Sequence, residues 1–304
     1  MREFTSHSLI PNYDHPQFFN LTVKGKITEE LLRDIHNKDL YQIAFGAGDF
    51  SDLGFLRELS KTVRRVIVSP KEFDWQSLSY QPNLQKLICY SPSADSADIS
   101  ALTQLTELFI YGASFVQSMP TLKELKKLHI NDWTMTDLTP FNQQKKLEEV
   151  WIVDARKLQS LEGFNTGQLK SLIIDNAPKL TDASALASAA KLQMLQLIRC
   201  KAIDNYDFLQ HLSEVFWLLV YNSAPLPSAD CFKVMQQLEI LGLAGTVLED
   251  GMLSKLKQYP ELKKIEIKNF EHYDITVREL KACLKQKWGS NLPDIIRDVV
   301  FDMN

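Results

Sequence analysis

His129, Asp132, Asp154 and Asp175 are the residues of this chain best suited to acid–base work, because an imidazole beside carboxylates can take up and pass on a proton. The aspartates follow one another at spacings of 22 and 21 residues, so a repeating fold would bring them to one face. What such a centre lacks is a nucleophile: no GxSxG, HExxH or GxxxxGK[ST] motif occurs. The glycines of AFGAGDFSDLG (44–54) lack the third glycine of a dinucleotide loop and follow an apolar repeat segment, so no cofactor is expected. Cys89, Cys200, Cys231 and Cys283 are scattered, with no CxxC or Cys/His cluster to hold a metal; they read as thiols in a reducing compartment. These four acid–base residues are therefore expected to form a solvated polar patch, and the chain is expected to be no enzyme.

Composition narrows the function further. Of 304 residues, 45% are apolar and 24% charged, which suits a folded protein with a large core. A net charge of −4 argues against a nucleic-acid-binding face. The first residues, MREFTSHSLIPNYDHPQFFN, carry no apolar run resembling a signal peptide, and no stretch approaches the roughly 18 apolar residues of a membrane span. The expected setting is cytoplasmic, without membrane attachment.

The elements that position these residues are written as a repeat. Apolar residues at relative positions 1, 4 and 6 recur eleven times, their first members 20 to 24 residues apart. The series runs from Leu40/Ile43/Phe45 through Leu128/Ile130 and Leu169/Leu172/Ile174 to Leu262/Ile265/Ile267. Positions 4 and 6 lie on one side of a short strand and positions 3, 5 and 7 on the other. One such strand cannot bury its apolar side alone, whereas a parallel stack can. SDLGFL (51–56), ADISAL (97–102), TDLTPF (136–141) and TDASAL (181–186) each place an Asp before an apolar pair, as a capped helical turn on the return path would.

Across residues 40–270 the pattern resembles the leucine-rich repeat superfamily, with core LxxLxLxxNxL, and its 22-residue style with a following TD is closest to bacterial internalin-like repeats. The resemblance implies an α/β solenoid: curved, with a parallel concave sheet and short helices or 3₁₀ turns on the convex side. The departure is the ninth position, where the family usually has Asn and this chain has Ala113, Trp133, Ala155, Ala177, Cys200 and Ser223. Tight packing of small residues would replace an Asn ladder, with Trp133 the outlier. Residues 1–39 are expected to form an N-terminal cap, with a strand at 18–23 and a helix at 28–37. Residues 271–304 are expected to form a helical cap, with a helix at 276–288 stopped by Gly289 and a segment at 292–300 folding back.

If the register holds, the concave face displays Tyr90, Phe109, Tyr111, His129, Trp151, Asp175, Trp217 and Tyr221. Aromatics with no place in the core, rimmed by charges such as Arg65, Lys86, Lys127 and Glu149, are what protein-binding surfaces present. The expected partner is another protein, bound by a chain that is monomeric when free. Adaptors and toxin-neutralising immunity proteins are what the resemblance adds. Recognition of a small molecule or glycan by the same rings is the alternative.

Overall fold

The computed structural model describes residues 5–59, 61–90, 98–113 and 115–288. Each repeat forms one strand: β3 (Leu40–Gly48), β4 (Arg65–Val68), β5 (Lys86–Cys89), β6 (Glu107–Tyr111), β7 (Lys127–Asn131), β8 (Glu149–Val153), β9 (Ser171–Asp175), β10 (Met194–Ile198), β11 (Trp217–Tyr221), β12 (Ile240–Leu243) and β13 (Lys264–Ile267). With β1 (Ser6–Pro11) and β2 (Phe19–Gly25) they make one sheet of thirteen strands in chain order, parallel from β2 onward. The solenoid is curved, with the sheet on its concave side. All three anchors of every repeat are buried, so position 4 meets position 4 and position 6 meets position 6 along the stack. That register explains why the spacing tolerates 20 to 24 residues: the strands must match, while the return path absorbs the difference.

The return paths run through single 3₁₀ turns, among them Gly54–Arg57, Thr139–Phe141 and Ser184–Ser188. As the sequence pattern implies, an aspartate lies two residues before the first residue of each turn, and it accepts that residue's backbone N–H. Asp52 Oδ1 accepts the Gly54 N–H at 2.9 Å, Asp137 Oδ1 that of Thr139 at 3.0 Å and Asp182 Oδ1 that of Ser184 at 2.9 Å. The tight 3₁₀ form fits because so short a connection has no room for a longer helix.

At the N-terminal end the expected strand and helix are present as β2 and α1 (Glu29–Ile35), whose N-cap Thr28 accepts the Leu31 N–H at 3.2 Å. Leu31 and Ile35 face inward, while Leu32 is exposed. β1, which the sequence did not announce, pairs antiparallel with β2 at the end of the sheet. At the other end α2 (Val277–Trp288) starts with a reciprocal cap. Thr276 Oγ1 accepts the Glu279 N–H at 3.1 Å, and the Glu279 carboxylate accepts the Thr276 N–H at 2.7 Å. It packs on β13 and the turn Leu253–Gln258 through Val277, Leu280 and Leu284. The Gly289 stop and the 292–300 segment lie outside the described residues. Among the described residues no helix is long and apolar enough to cross a membrane.

Position 8, just after the strand, has a left-handed backbone in seven successive repeats: Gly112, Asp132, Asp154, Asn176, Arg199, Asn222 and Gly245, with φ between 47° and 73°. This bend turns the chain off the sheet and aims the position-8 N–H at the next repeat, as in Asp132 N–H to Val153 O at 2.9 Å and Asn176 N–H to Ile198 O at 2.8 Å. Gly, Asn and Asp tolerate this region best, which accounts for all but Arg199.

Position 9 solves the missing Asn in two ways. Ala155 and Ala177 are buried, so close packing suffices there, as expected. Further along, side chains carry a ladder: the Cys200 N–H donates to Ser223 Oγ at 3.0 Å, and the Ser223 N–H to Thr246 Oγ1 at 3.1 Å. Ser223→Ala leaves the buried Cys200 N–H without its acceptor and is expected to cost about 1–2 kcal/mol. Urea unfolding should show a lower midpoint at unchanged slope; an unchanged midpoint would mean that water or a backbone shift replaces the hydroxyl.

Candidate functional site

The concave sides of β5 to β8 carry a continuous aromatic row. Strand register places Phe109, His129 and Trp151 side by side on β6, β7 and β8. Ring centroids step 5.5 Å from Tyr90 to Phe109, 4.1 Å to His129 and 4.3 Å to Trp151, the last pair stacked at 23°. Tyr111 branches from Phe109 at 6.4 Å. Tyr90 is exposed and the other four are half-buried, so the row offers edges and faces rather than sealed rings.

One rim of this row is charged yet internally neutral. Lys86 pairs with Glu107 and Lys127 with Glu149, each at 3.0 Å, across neighbouring strands. Between rim and rings the sheet leaves an open groove of about 120 Å³, lined by those four side chains, by Leu87, Ile88, Leu108 and Leu128, and by Tyr90, Phe109, His129 and Trp151. Burial against the rings pushes the His129 imidazole down to about 4 from its ordinary 6.5, so it is neutral at pH 7.

The acid–base grouping of His129 with the three aspartates does not assemble. Among the described residues no hydrogen bond or ion pair links His129 to a carboxylate, and its shift has burial as its cause. Asp154 accepts a hydrogen bond from the Asn176 amide, and Asp175 pairs with Arg199 at 2.5 Å. Burial raises the Asp175 carboxyl above its usual range, opposed by the Arg199 guanidinium. Among the described residues no three His, Cys, Asp or Glu side chains gather as metal ligands would.

The remaining aromatics are differently used. Trp217, expected to project without serving any core, is 5% exposed. It is buried on the concave side in a second cluster with Ile173, Met194 and Ile240, against which Trp151 and Leu219 pack. The cause is a change in the position-3 row, which is charged from Arg65 to Glu149 and then runs Ser171, Met194, Trp217, Ile240. Beyond β8 the concave face therefore fills itself, and Trp217 backs Trp151 at one remove.

Tyr221 lies over β12 in space that Gly242 leaves: a β-carbon there would meet the ring at 2.3 Å. Its hydroxyl donates to Glu266 on β13, and burial raises its own ionisation. Of the eight expected site residues, Tyr90, Phe109, Tyr111, His129 and Trp151 stand together, whereas Asp175, Trp217 and Tyr221 sit further along in contacts of their own. Leu87, Leu108 and Leu128 meet the groove only as the strands beneath it, their side chains buried in the core as the sequence expects of position 4.

No protein-family model matches the chain, and no curated protein matches it by sequence. Among solved structures, an internalin from Listeria monocytogenes superposes with a TM-score of 0.57 at 19% identity, covering 83% of this chain and 83% of that chain. A leucine-rich repeat protein from Leptospira interrogans gives 0.49 at 13% identity, over 80% of this chain and 75% of that one. The first likeness shows the fold: a leucine-rich repeat solenoid of the internalin kind.

Proposed function

We propose that this protein is a non-enzymatic interaction module that binds another protein on the concave face of β5 to β8. The observation that carries this reading is the aromatic row Tyr90–Phe109–His129–Trp151, half-open and continuous over four repeats. A sugar platform would need one or two rings, whereas a row of this length suits a protein surface, where aromatic anchors near the centre dominate affinity. The strands hold the rings in place before any partner arrives, which reduces the ordering cost of association. Occupancy alone would then serve an adaptor or a toxin-neutralising role. In this reading residues 1–39 and 271–304 are caps, the free chain is a monomer, and four cysteines without a disulfide suit the cytoplasm.

The test is capture from native lysate by the wild type beside a Phe109→Ala, Tyr111→Ala, Trp151→Ala variant of unchanged circular dichroism. The expected result is one or more proteins retained by the wild type and reduced at least tenfold by the variant, since each lost anchor is worth about 1–4 kcal/mol. Equal capture by both moves the binding site elsewhere.

A further inference from the structure

Resting on that reading of the concave face, we propose that the groove between the aromatic row and its charged rim takes one uncharged aromatic side chain, Phe or Tyr, presented by the partner protein. Size is the first argument. The groove measures about 120 Å³, close to the ~150 Å³ of a cavity that holds a single benzene, so it has room for one ring.

Charge is the second. Four ionised side chains line the groove, but Lys86 is taken by Glu107 and Lys127 by Glu149 at 3.0 Å each. A cationic anchor would have to displace a lysine and an anionic one a glutamate, leaving a like charge beside it; a neutral ring disturbs neither pair. The walls agree: Ile88, Phe109 and Trp151, all at position 5 on the concave side, offer an aliphatic surface with ring faces and edges to a further ring.

The source of the ring is fixed by openness. The groove is a trough in the sheet, and a free ring laid in it would bury on the order of 100 Å². A stable complex buries about 800 Å² on each partner, so the ring must arrive on a body that also covers the flanking strands. Tyr111, Val153 and Ile198, half-buried along position 7, extend the surface available to that body.

The experiment is selection of random twelve-residue peptides displayed on phage against the full chain, with N-acetylphenylalaninamide titrated in parallel as the free ring. The expected result is a selected set that shares one Phe or Tyr, loses at least tenfold in affinity when that residue becomes Ala, and loses as much on a Trp151→Ala protein. The free amide should show no saturation below about 1 mM. Selected peptides that depend on Trp151 but share a Lys, Arg, Asp or Glu instead overturn the neutral-ring proposal while leaving the concave face as the binding surface. Peptides indifferent to Trp151, or no selected peptides, overturn both. Saturation by the free amide overturns the protein-borne source.

Discussion

Trp133→Ala is expected to destabilise the solenoid by about 3–5 kcal/mol, because the substitution empties a fully buried indole site in the core. Among the described residues Trp133 is the largest fully buried side chain, 1% exposed. Its ring lies 5.3 Å from that of Phe141, and its indole N–H donates to the Asp137 carbonyl at 3.0 Å. Alanine removes the ring and orphans that carbonyl together. Trp133→Asn, which installs the residue usual in the repeat family, is expected to fare no better. A family asparagine works by tying neighbouring turns together, and the neighbours at this position are Ala113 and Ala155, which have no side-chain partner to give. The loss should also be local, because a repeat contacts chiefly the repeats on either side. Hydrogen exchange is expected to lose protection first in β7 and β8, and urea unfolding to lower its midpoint. Full protection in those strands with a small midpoint change would show that the turn collapses around the smaller residue.

The solenoid was legible because its signal is a spacing. Leu172 and Ile174 are two residues apart and recur in every repeat, and a strand leaves no other way to bury both. The convex aspartates were legible for the same reason: Asp137 and Asp182 precede their turns at a fixed offset, and a carboxylate there has a backbone N–H to accept. Position 8 was readable in part. Gly112, Asp132, Asp154, Asn176, Asn222 and Gly245 are residues that tolerate a left-handed backbone, yet Asp132 and Asp154 drew notice for their carboxylates, which concealed the bend.

Which aromatics would stay open was not legible, and Trp217 shows why. Its period puts it on the concave side, where it lies, but exposure there depends on the neighbours at the same position of the next strands. Lys127 beside Glu149 leaves room above the sheet, whereas Met194 and Ile240 beside Trp217 close it. Such neighbours are some twenty residues away in sequence and matter only once the register is known. Tyr221 depends likewise on the gap at Gly242 and on Glu266, 45 residues on.

His129 should make the stability of this protein pH-dependent in a window that its variant lacks. Its folded-state ionisation is pushed down to about 4, while in the unfolded chain it stays near 6.5. As pH falls through 6.5 the unfolded chain takes the proton first, so stability is lost between about 6.5 and 4 and no further loss from this residue occurs below that. The full displacement would correspond to about 3 kcal/mol, and partial contact with solvent reduces the expected loss to about 2 kcal/mol. Glu107, Glu149, Lys86 and Lys127 line the same groove, and carboxylates elsewhere titrate in the same range. The measurement is therefore a difference: urea stabilities of wild type and His129→Gln at pH 7.5 and pH 4.5. The variant loses the ring contacts with Phe109 and Trp151 at both values, a constant offset. The gap between the proteins is expected to shift by about 2 kcal/mol in favour of the variant at the lower pH. A gap that does not move would mean that His129 is open to water when folded, and the groove would then be wetter and less suited to a neutral ring. The same burial that keeps the imidazole uncharged at neutral pH keeps the floor of the groove free of unpaired charge, so stability and recognition here have one physical cause.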